Sequence, residues 1–276
     1  MAAATVDQAA FQQFEREGWE KKAAGYHRFF SEVSGHNIEP LLDAADVKAG
    51  TRVLDVGTGP GLLAAAAAKR GAKATGVDLA EEMVNLARRL HPGVVFRQGI
   101  ADSLPFLDGE FGAVIGNLLL PHLPDPTTGL RELTRVLSSG GRLALSMWGR
   151  PAENRFMGII VDAVAQAAAP PVPGIPSGPP TFRLAEDHEL LRLLSETGLT
   201  GVEIKTIEFQ QQVPDTESLW TAMRDGTVRT ASLIVGQPIE VQRRIRSAFD
   251  TLAEPYRDDG GLQVPVLFKI ASGIKA

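Results

Sequence analysis

The 276-residue chain contains no cysteine, which removes disulfides, thiolate nucleophiles and Cys-ligated zinc from consideration. It also lacks an excess of positive charge. Its 28 Lys+Arg stand against 33 Asp+Glu, for a formal net charge of -5, so no sustained positive field is offered to a phosphate backbone and nucleic acid is not an expected partner. No stretch reaches roughly 18 uninterrupted apolar residues, the minimum for a membrane-spanning helix. Asp7, Glu15, Arg16 and Glu17 break up the opening segment where a secretory signal needs an apolar run. No internal repeat is visible. These absences lead to the expectation of a cytoplasmic monomer or homodimer with no membrane partner. What is present is 44% hydrophobic against 22% charged residues, an ordinary globular balance that can bury a sizeable core.

From Thr51 to Trp148, short apolar runs alternate with helical patterns, the signature of consecutive βα units in a parallel sheet. Strands are expected at 52–56, 73–77, 94–98, 113–117 and 142–147, and helices at 61–70, 80–90 and 128–137. The fold class is therefore α/β, a Rossmann-like, seven-stranded, doubly wound sheet. Ahead of it, Phe11, Phe14, Trp19, Tyr26, Phe29 and Phe30 among charges read as one or two amphipathic helices. The proline-rich stretch 170–180 reads as a loop. A helix at 185–197 follows, stopped by Gly198, and strands are expected at 202–209 and 264–271. One domain over 1–276 is expected, with an N-terminal helical cap (1–47), a cofactor-binding core (48–213), an inserted helical lid (214–261) and a C-terminal strand (262–276).

The most informative segment is Val53-Leu54-Asp55-Val56-Gly57-Thr58-Gly59-Pro60-Gly61-Leu62, a buried strand that enters a glycine turn and then a helix. Gly57 and Gly59 let the backbone turn tightly and approach a ligand where a Cβ would intrude. A dinucleotide fingerprint requires G-x-G-x-x-G so that pyrophosphate sits on the helix N-terminus. Here the spacing is G-x-G-x-G, and Asp55 is a poor neighbour for pyrophosphate but a good acceptor for an ammonium group. Asp78 closes the second strand, where a carboxylate can accept from both ribose hydroxyls. Asp102 follows the third strand, placed to accept from an exocyclic amino group. Together these acids imply a nucleoside-like ligand without phosphate.

With these residues in place, the chain resembles the class I S-adenosylmethionine-dependent methyltransferases, in the small-molecule branch related to the ubiquinone and menaquinone enzymes. The resemblance runs over about residues 19–201. It rests on Asp55 to Gly61, on Asp78, on Ala101-Asp102, on Gly116-Asn117-Leu118-Leu119-Leu120-Pro121-His122-Leu123-Pro124-Asp125, and on Arg135-Val136-Leu137 followed by Gly140-Gly141. It implies S-adenosyl-L-methionine as cofactor, with contacts from Tyr26, Asp55, Gly57, Thr58, Gly59, Gly61, Asp78, Leu79, Met83, Ala101, Asp102, Ser103, Asn117 and Leu118. Asn117 stands where catechol-type relatives carry metal-binding acids, and no metal is expected. Trp19 and Tyr26 match the family's cap over the cofactor, so Tyr26 is expected to close on the sulfonium, aromatic faces being suited to cations.

The expected activity is methyl transfer to a small aromatic or polyketide-like acceptor, at oxygen ahead of carbon or nitrogen. Such a displacement chiefly needs positioning and exclusion of water, and a phenol or enol acceptor also profits from a general base. His122, just past the fourth strand at the edge where ligands gather in open α/β sheets, is the expected base. Trp148, at the end of the fifth strand, and Trp220, Met223 and Arg224, on one helical face of the lid, are the expected acceptor-site residues. Two alternatives remain at the level of sequence: a non-catalytic cofactor-binding or assembly subunit, and a nicotinamide-dependent oxidoreductase, which the glycine spacing and Asp55 disfavour.

Overall fold

In a computed structural model, which describes residues 7–276, the apolar runs become β1 (Arg52–Val56), β2 (Lys73–Asp78), β3 (Val95–Gln98), β4 (Phe111–Asn117) and β5 (Leu137–Trp148). These five strands pair in parallel. Later in the chain come β6 (Leu199–Val213), β7 (Arg257–Asp258) and β8 (Gly261–Lys275). The sheet order is β3-β2-β1-β4-β5-β8-β6, with β8 antiparallel to both neighbours and β7 a two-residue hairpin partner of β8. The expected seven strands form the continuous path, and the eighth is a short addition. Strand order reverses between β1 and β4, so the ligand crevice of such a sheet lies at their carboxyl ends.

Both faces of the sheet are covered, which is why β1 reads as a nearly unbroken apolar run. On one face, α2 (Ile38–Ala44) and α3 (Leu62–Lys69) bury Leu41, Leu42, Leu63 and Ala67 against Val53, Ile115 and Ala144. On the other, α5 (Pro126–Val136) and α7 (Asp187–Ser195) bury Leu130, Leu133, Leu190 and Leu194 against Leu54, Val114 and Leu143. Helix α5 starts two residues before the expected 128. The Asp125 carboxylate accepts from Thr127 N at 3.0 Å and Pro126 occupies the first turn, a start signal stronger than the apolar periodicity.

The N-terminal aromatics lie on one continuous helix, α1 (Gln8–Gly35), 28 residues long and about 42 Å from end to end. Phe11, Glu15, Trp19, Ala23, Tyr26, Phe30 and Val33 recur every three or four residues and form the stripe it turns to the rest of the protein. Glu20 docks this helix: its carboxylate oxygens accept from the first two amides of α4 (Glu81–Leu90), at 2.7 and 2.9 Å.

The strands expected at 202–209 and 264–271 are each 15 residues long. They pair from Leu199↔Lys275 to Val213↔Leu262, well past the end of β5. Gln211, which donates to Glu32 Oε1 at 3.0 Å, occupies a buried position of the alternation, so the period is hidden in the sequence. Helices α8 (Thr216–Asp225), α9 (Arg229–Val235) and α10 (Ile239–Ala253) pack on this extension together with α6 (Arg155–Gln166). They bury Trp220, Met223, Ile245 and Phe249 in one cluster with Val264, Phe268 and Trp148. The segment expected as a lid is thus an integral layer of the core. Among the described residues, no helix is long and apolar enough to cross a membrane.

Candidate active site

One cleft opens over the carboxyl ends of β1, β2 and β4 and is roofed by α1. It encloses about 1440 Å³ counted out through its open mouth. The glycine turn forms its floor. Gly57, Gly59 and Gly61 have φ of 68°, 52° and 83°, the left-handed region that glycine enters at little cost. A Cβ on Gly57 would meet Leu119 Cδ1 at 2.9 Å, whereas one on Gly59 would point at the Tyr26 ring 3.8 Å away. Gly61 lies outside the cleft, and a Cβ there would strike Phe96 Cζ at 2.7 Å. Its role is packing behind the turn.

Three carboxyls converge on the cleft from three successive strand ends. Asp55 accepts from Thr58 Oγ1 at 2.7 Å and Ala64 N at 3.0 Å through Oδ2, while its buried Oδ1 has no partner. Burial raises its pKa to about 7. Asp78 accepts from Gly59 N at 2.8 Å and Ala80 N at 3.0 Å. Burial outweighs those bonds and raises it to about 6. Asp102 is pushed up to about 6 by burial, with Asp125 and Glu132 nearby, and its Oδ1 also lacks a partner. A buried acceptor with no donor is costly, and Asp55 and Asp102 each hold one such oxygen at the cleft.

Leu79, Met83, Ala101, Asn117 and Leu118 also line the cleft, whereas Ser103 is exposed on the turn after Asp102. Leu118 has φ 60°, unusual for a branched residue and held by its surroundings. Its N–H donates to Ser146 Oγ at 2.8 Å, and that hydroxyl donates to Asn117 Oδ1 at 2.6 Å. The Asn117 amide donates to Ser34 O at 3.0 Å and its Oδ1 accepts from Asn37 Nδ2 at 3.0 Å. Asn117 therefore joins β4 to the end of α1.

Aromatic rings supply the remaining wall. Tyr26 stacks on Phe30 with centroids 5.5 Å apart and meets the Trp19 edge at 5.4 Å. Burial is the largest cause of its raised pKa. Trp148 lines the cleft and also stacks on Phe268 at 4.5 Å, so it serves wall and core together. His122 sits on a single 3₁₀ turn, Leu120–His122. Its Nδ1 lies 3.0 Å from Glu15 Oε2, which also accepts from Trp19 Nε1 at 2.9 Å.

Trp220, Met223 and Arg224 do not line the cleft. Met223 is fully buried, Trp220 packs edge-on to Phe249 at 5.2 Å, and Arg224 pairs with Asp225 at 2.8 Å. The side of the helix that carries Trp220 and Met223 is buried in the core, and Arg224 lies at its exposed edge. The next segment, Gly226 to Thr230, reaches the cleft instead, led by Arg229. Glu15 and Arg229 were not singled out in the sequence. Glu15 did leave a signal, as the one acid in the otherwise apolar or aromatic stripe of α1.

Residues 54–145 match the sequence profile of the family described as "Methyltransferase domain". Over 91 residues the chain is 43% identical to the demethylmenaquinone methyltransferase of Chlorobaculum parvum, covering 33% of this chain and 38% of that protein. Over 125 residues it is 42% identical to a ubiquinone biosynthesis O-methyltransferase of Xanthomonas oryzae pv. oryzae, covering 42% and 52%. The match thus spans about two fifths to one half of these relatives' length. Among solved structures, the Haemonchus contortus phosphoethanolamine N-methyltransferase 2, in complex with phosphomonomethylethanolamine and S-adenosylhomocysteine, superposes with a TM-score of 0.58 at 18% identity, over 96% of this chain and 60% of that one. That likeness concerns the fold. Residues 54–145 thus match a methyltransferase domain, on a fold shared with S-adenosylmethionine-dependent methyltransferases.

Proposed function

We propose that this protein uses S-adenosyl-L-methionine to methylate a hydroxyl of a small aromatic or polyketide-like acceptor. The observation that carries the reading is the set of three cleft carboxyls beside an open glycine turn. As acceptors they fit the cofactor's donor groups: Asp55 suits the ammonium, Asp78 the ribose diol, and Asp102 the adenine amino group. Gly59, free of a Cβ, lets the chain pass beneath, and Tyr26 above it offers a ring to the positive sulfur.

When bound, the cofactor supplies an electrophilic methyl on a sulfonium. The chain's part is to position the acceptor oxygen in line with it, exclude water and receive a proton. His122 is placed for the last task. A neutral imidazole whose Nδ1–H donates to Glu15 leaves Nε2 as the acceptor for a hydroxyl proton. The proton released by the acceptor hydroxyl as it takes the methyl would be held on His122 Nε2. The apolar side chains of Phe30, Trp148 and Met157 supply dry surface at the same cleft. The name of the Xanthomonas relative, a ubiquinone biosynthesis O-methyltransferase, supports oxygen as the accepting atom.

Titration calorimetry with S-adenosylhomocysteine, joined to native mass spectrometry of the purified protein, tests the reading. One nucleoside bound per chain is the expected result. No binding, with binding of a nicotinamide dinucleotide instead, would overturn it.

A further inference from the structure

Arg229 is the one lysine or arginine among the described residues lining the cleft, and its charge has no use in the chemistry above. Its side chain is fixed in place. Nη1 donates to Pro121 O at 3.1 Å and Nη2 to Pro179 O at 2.7 Å, while the guanidinium lies over the Phe11 ring, 5.2 Å from its centroid. These partners are neutral. Among the described residues, no carboxylate forms an ion pair with it. Glu15 is the acid whose field reaches Arg229; its Oε2 is occupied by Trp19 and His122, and its buried Oε1 has no hydrogen-bond partner, so this charge acts on Arg229 without a direct contact. Burial works against the guanidinium's charge.

A half-buried arginine held by neutral carbonyls, with no carboxylate in direct contact, is stabilised when an anion completes its hydrogen bonds. Two carbonyls take two of its five N–H groups, leaving three donors in a planar fork that suits two oxygens of one anion. Its position gives that anion a place relative to the chemistry. Pro121 directly precedes His122, so the guanidinium bonded to Pro121 O is tied to the same 3₁₀ turn that carries the imidazole. Asp55, Asp78 and Asp102, on the other side of the cleft, are negative when ionised, so the two ends of the cleft favour opposite charge.

Resting on the methyltransferase reading, we propose that Arg229 binds an oxyanion group of the methyl acceptor, so that the substrate is an acid whose hydroxyl lies at His122. The acceptor is then a hydroxylated aromatic or enolic acid and not a neutral phenol.

The test uses protein saturated with S-adenosylhomocysteine and the probe pair 3,4-dihydroxybenzoate and 3,4-dihydroxybenzamide, which differ in charge at one group. Calorimetry should show the acid binding about tenfold or more tighter than the amide, as expected for a charged hydrogen-bonded pair. Arg229→Gln should abolish that preference, leaving affinity for S-adenosylhomocysteine and for the amide unchanged. Arg229→Lys, which keeps the charge but loses the fork, should fall between the two. Equal binding of acid and amide by the unaltered protein, or failure of the acid to bind, overturns the proposal without recourse to a variant. It is equally overturned if Arg229→Gln weakens S-adenosylhomocysteine instead, because the guanidinium then serves the carboxylate of the donor. Failure of S-adenosylhomocysteine to bind defeats the methyltransferase reading alone, and the acid–amide comparison still decides what Arg229 holds.

Discussion

His122 Nδ1 and Glu15 Oε2 lie 3.0 Å apart although 107 residues separate them in the chain. Glu15 comes from the roof helix and His122 from the turn after β4, so their contact closes the cleft from above. The Glu15 side chain is 0% exposed, against 30% for His122, and the cleft is thus faced by the imidazole with the carboxylate behind it. Trp19 completes the arrangement, donating to the same Oε2 while its ring meets the imidazole edge-on at 5.2 Å. A carboxylate behind a histidine fixes its tautomer and ring orientation.

If the imidazole takes the acceptor proton, His122→Ala lowers kcat by about 10²–10⁴-fold while the affinity for S-adenosylhomocysteine holds. Glu15→Gln keeps an oxygen for the Trp19 indole but removes the charge behind the imidazole. It should lower kcat by about tenfold or more with little change in KM, and the double variant should be no slower than His122→Ala alone. Steady-state kinetics on a phenolic acceptor, read as a double-mutant cycle, checks this. Additive losses would mean that the two side chains act separately.

The three cleft carboxyls link ligand binding to pH. Asp55 at about 7 and Asp78 and Asp102 at about 6 all stand above the ordinary 3.8. A folded carboxyl with a raised pKa contributes stability that is complete below its unfolded value and is lost as pH rises through the folded one. From these groups the unliganded protein loses stability between about pH 4 and 7. A ligand that donates hydrogen bonds or positive charge to them favours the ionised forms. Its binding therefore releases protons at about pH 6 and releases almost none at about pH 8, and affinity climbs over that interval by at most roughly tenfold per pH unit for each linked proton. Calorimetry of S-adenosylhomocysteine in buffers of differing ionisation enthalpy measures the proton count directly. Proton uptake at pH 6 would show that the acids bind the ligand protonated, against the roles assigned to them.

The sheet was legible because each βα unit announces itself locally, through a short apolar run, a turn and a helical period. The same holds for the donor end of the cleft, where Asp55, Gly57, Gly59, Asp78 and Asp102 sit at strand ends whose positions the pattern fixes. The acceptor end was not legible in this way. Its residues come from α1, from the turn after β4 and from the α8–α9 junction, and only tertiary packing brings Glu15, His122 and Arg229 to one wall. Trp220 and Met223 show the opposite problem: a helical stripe of large residues has the same sequence signature whether it faces a ligand or the core. Burial decided it, since both pack under α10.

Gly59 and Gly61 belong to one motif, but the structure gives them different roles, and alanine at each should separate ligand binding from folding. Both hold φ above 50°, so each substitution costs roughly 1–2 kcal/mol in backbone strain. At Gly61 the new methyl would also meet Phe96 Cζ at 2.7 Å and Ala87 Cβ at 3.0 Å, inside a small buried cluster with Ala64 and Val84. That adds about 1–3 kcal/mol of overpacking, and Gly61→Ala should unfold at clearly lower denaturant while whatever folds still binds S-adenosylhomocysteine. At Gly59 the methyl meets only the Tyr26 ring, at 3.8 Å. Gly59→Ala should therefore keep most of its stability but lose affinity for the nucleoside, because the methyl fills the space between the turn and the ring that roofs it. Urea denaturation with and without S-adenosylhomocysteine reads both quantities in one experiment. Ligand-induced stabilisation should survive at Gly61→Ala and vanish at Gly59→Ala, and the reverse pattern would place the ligand behind the turn instead of beneath Tyr26.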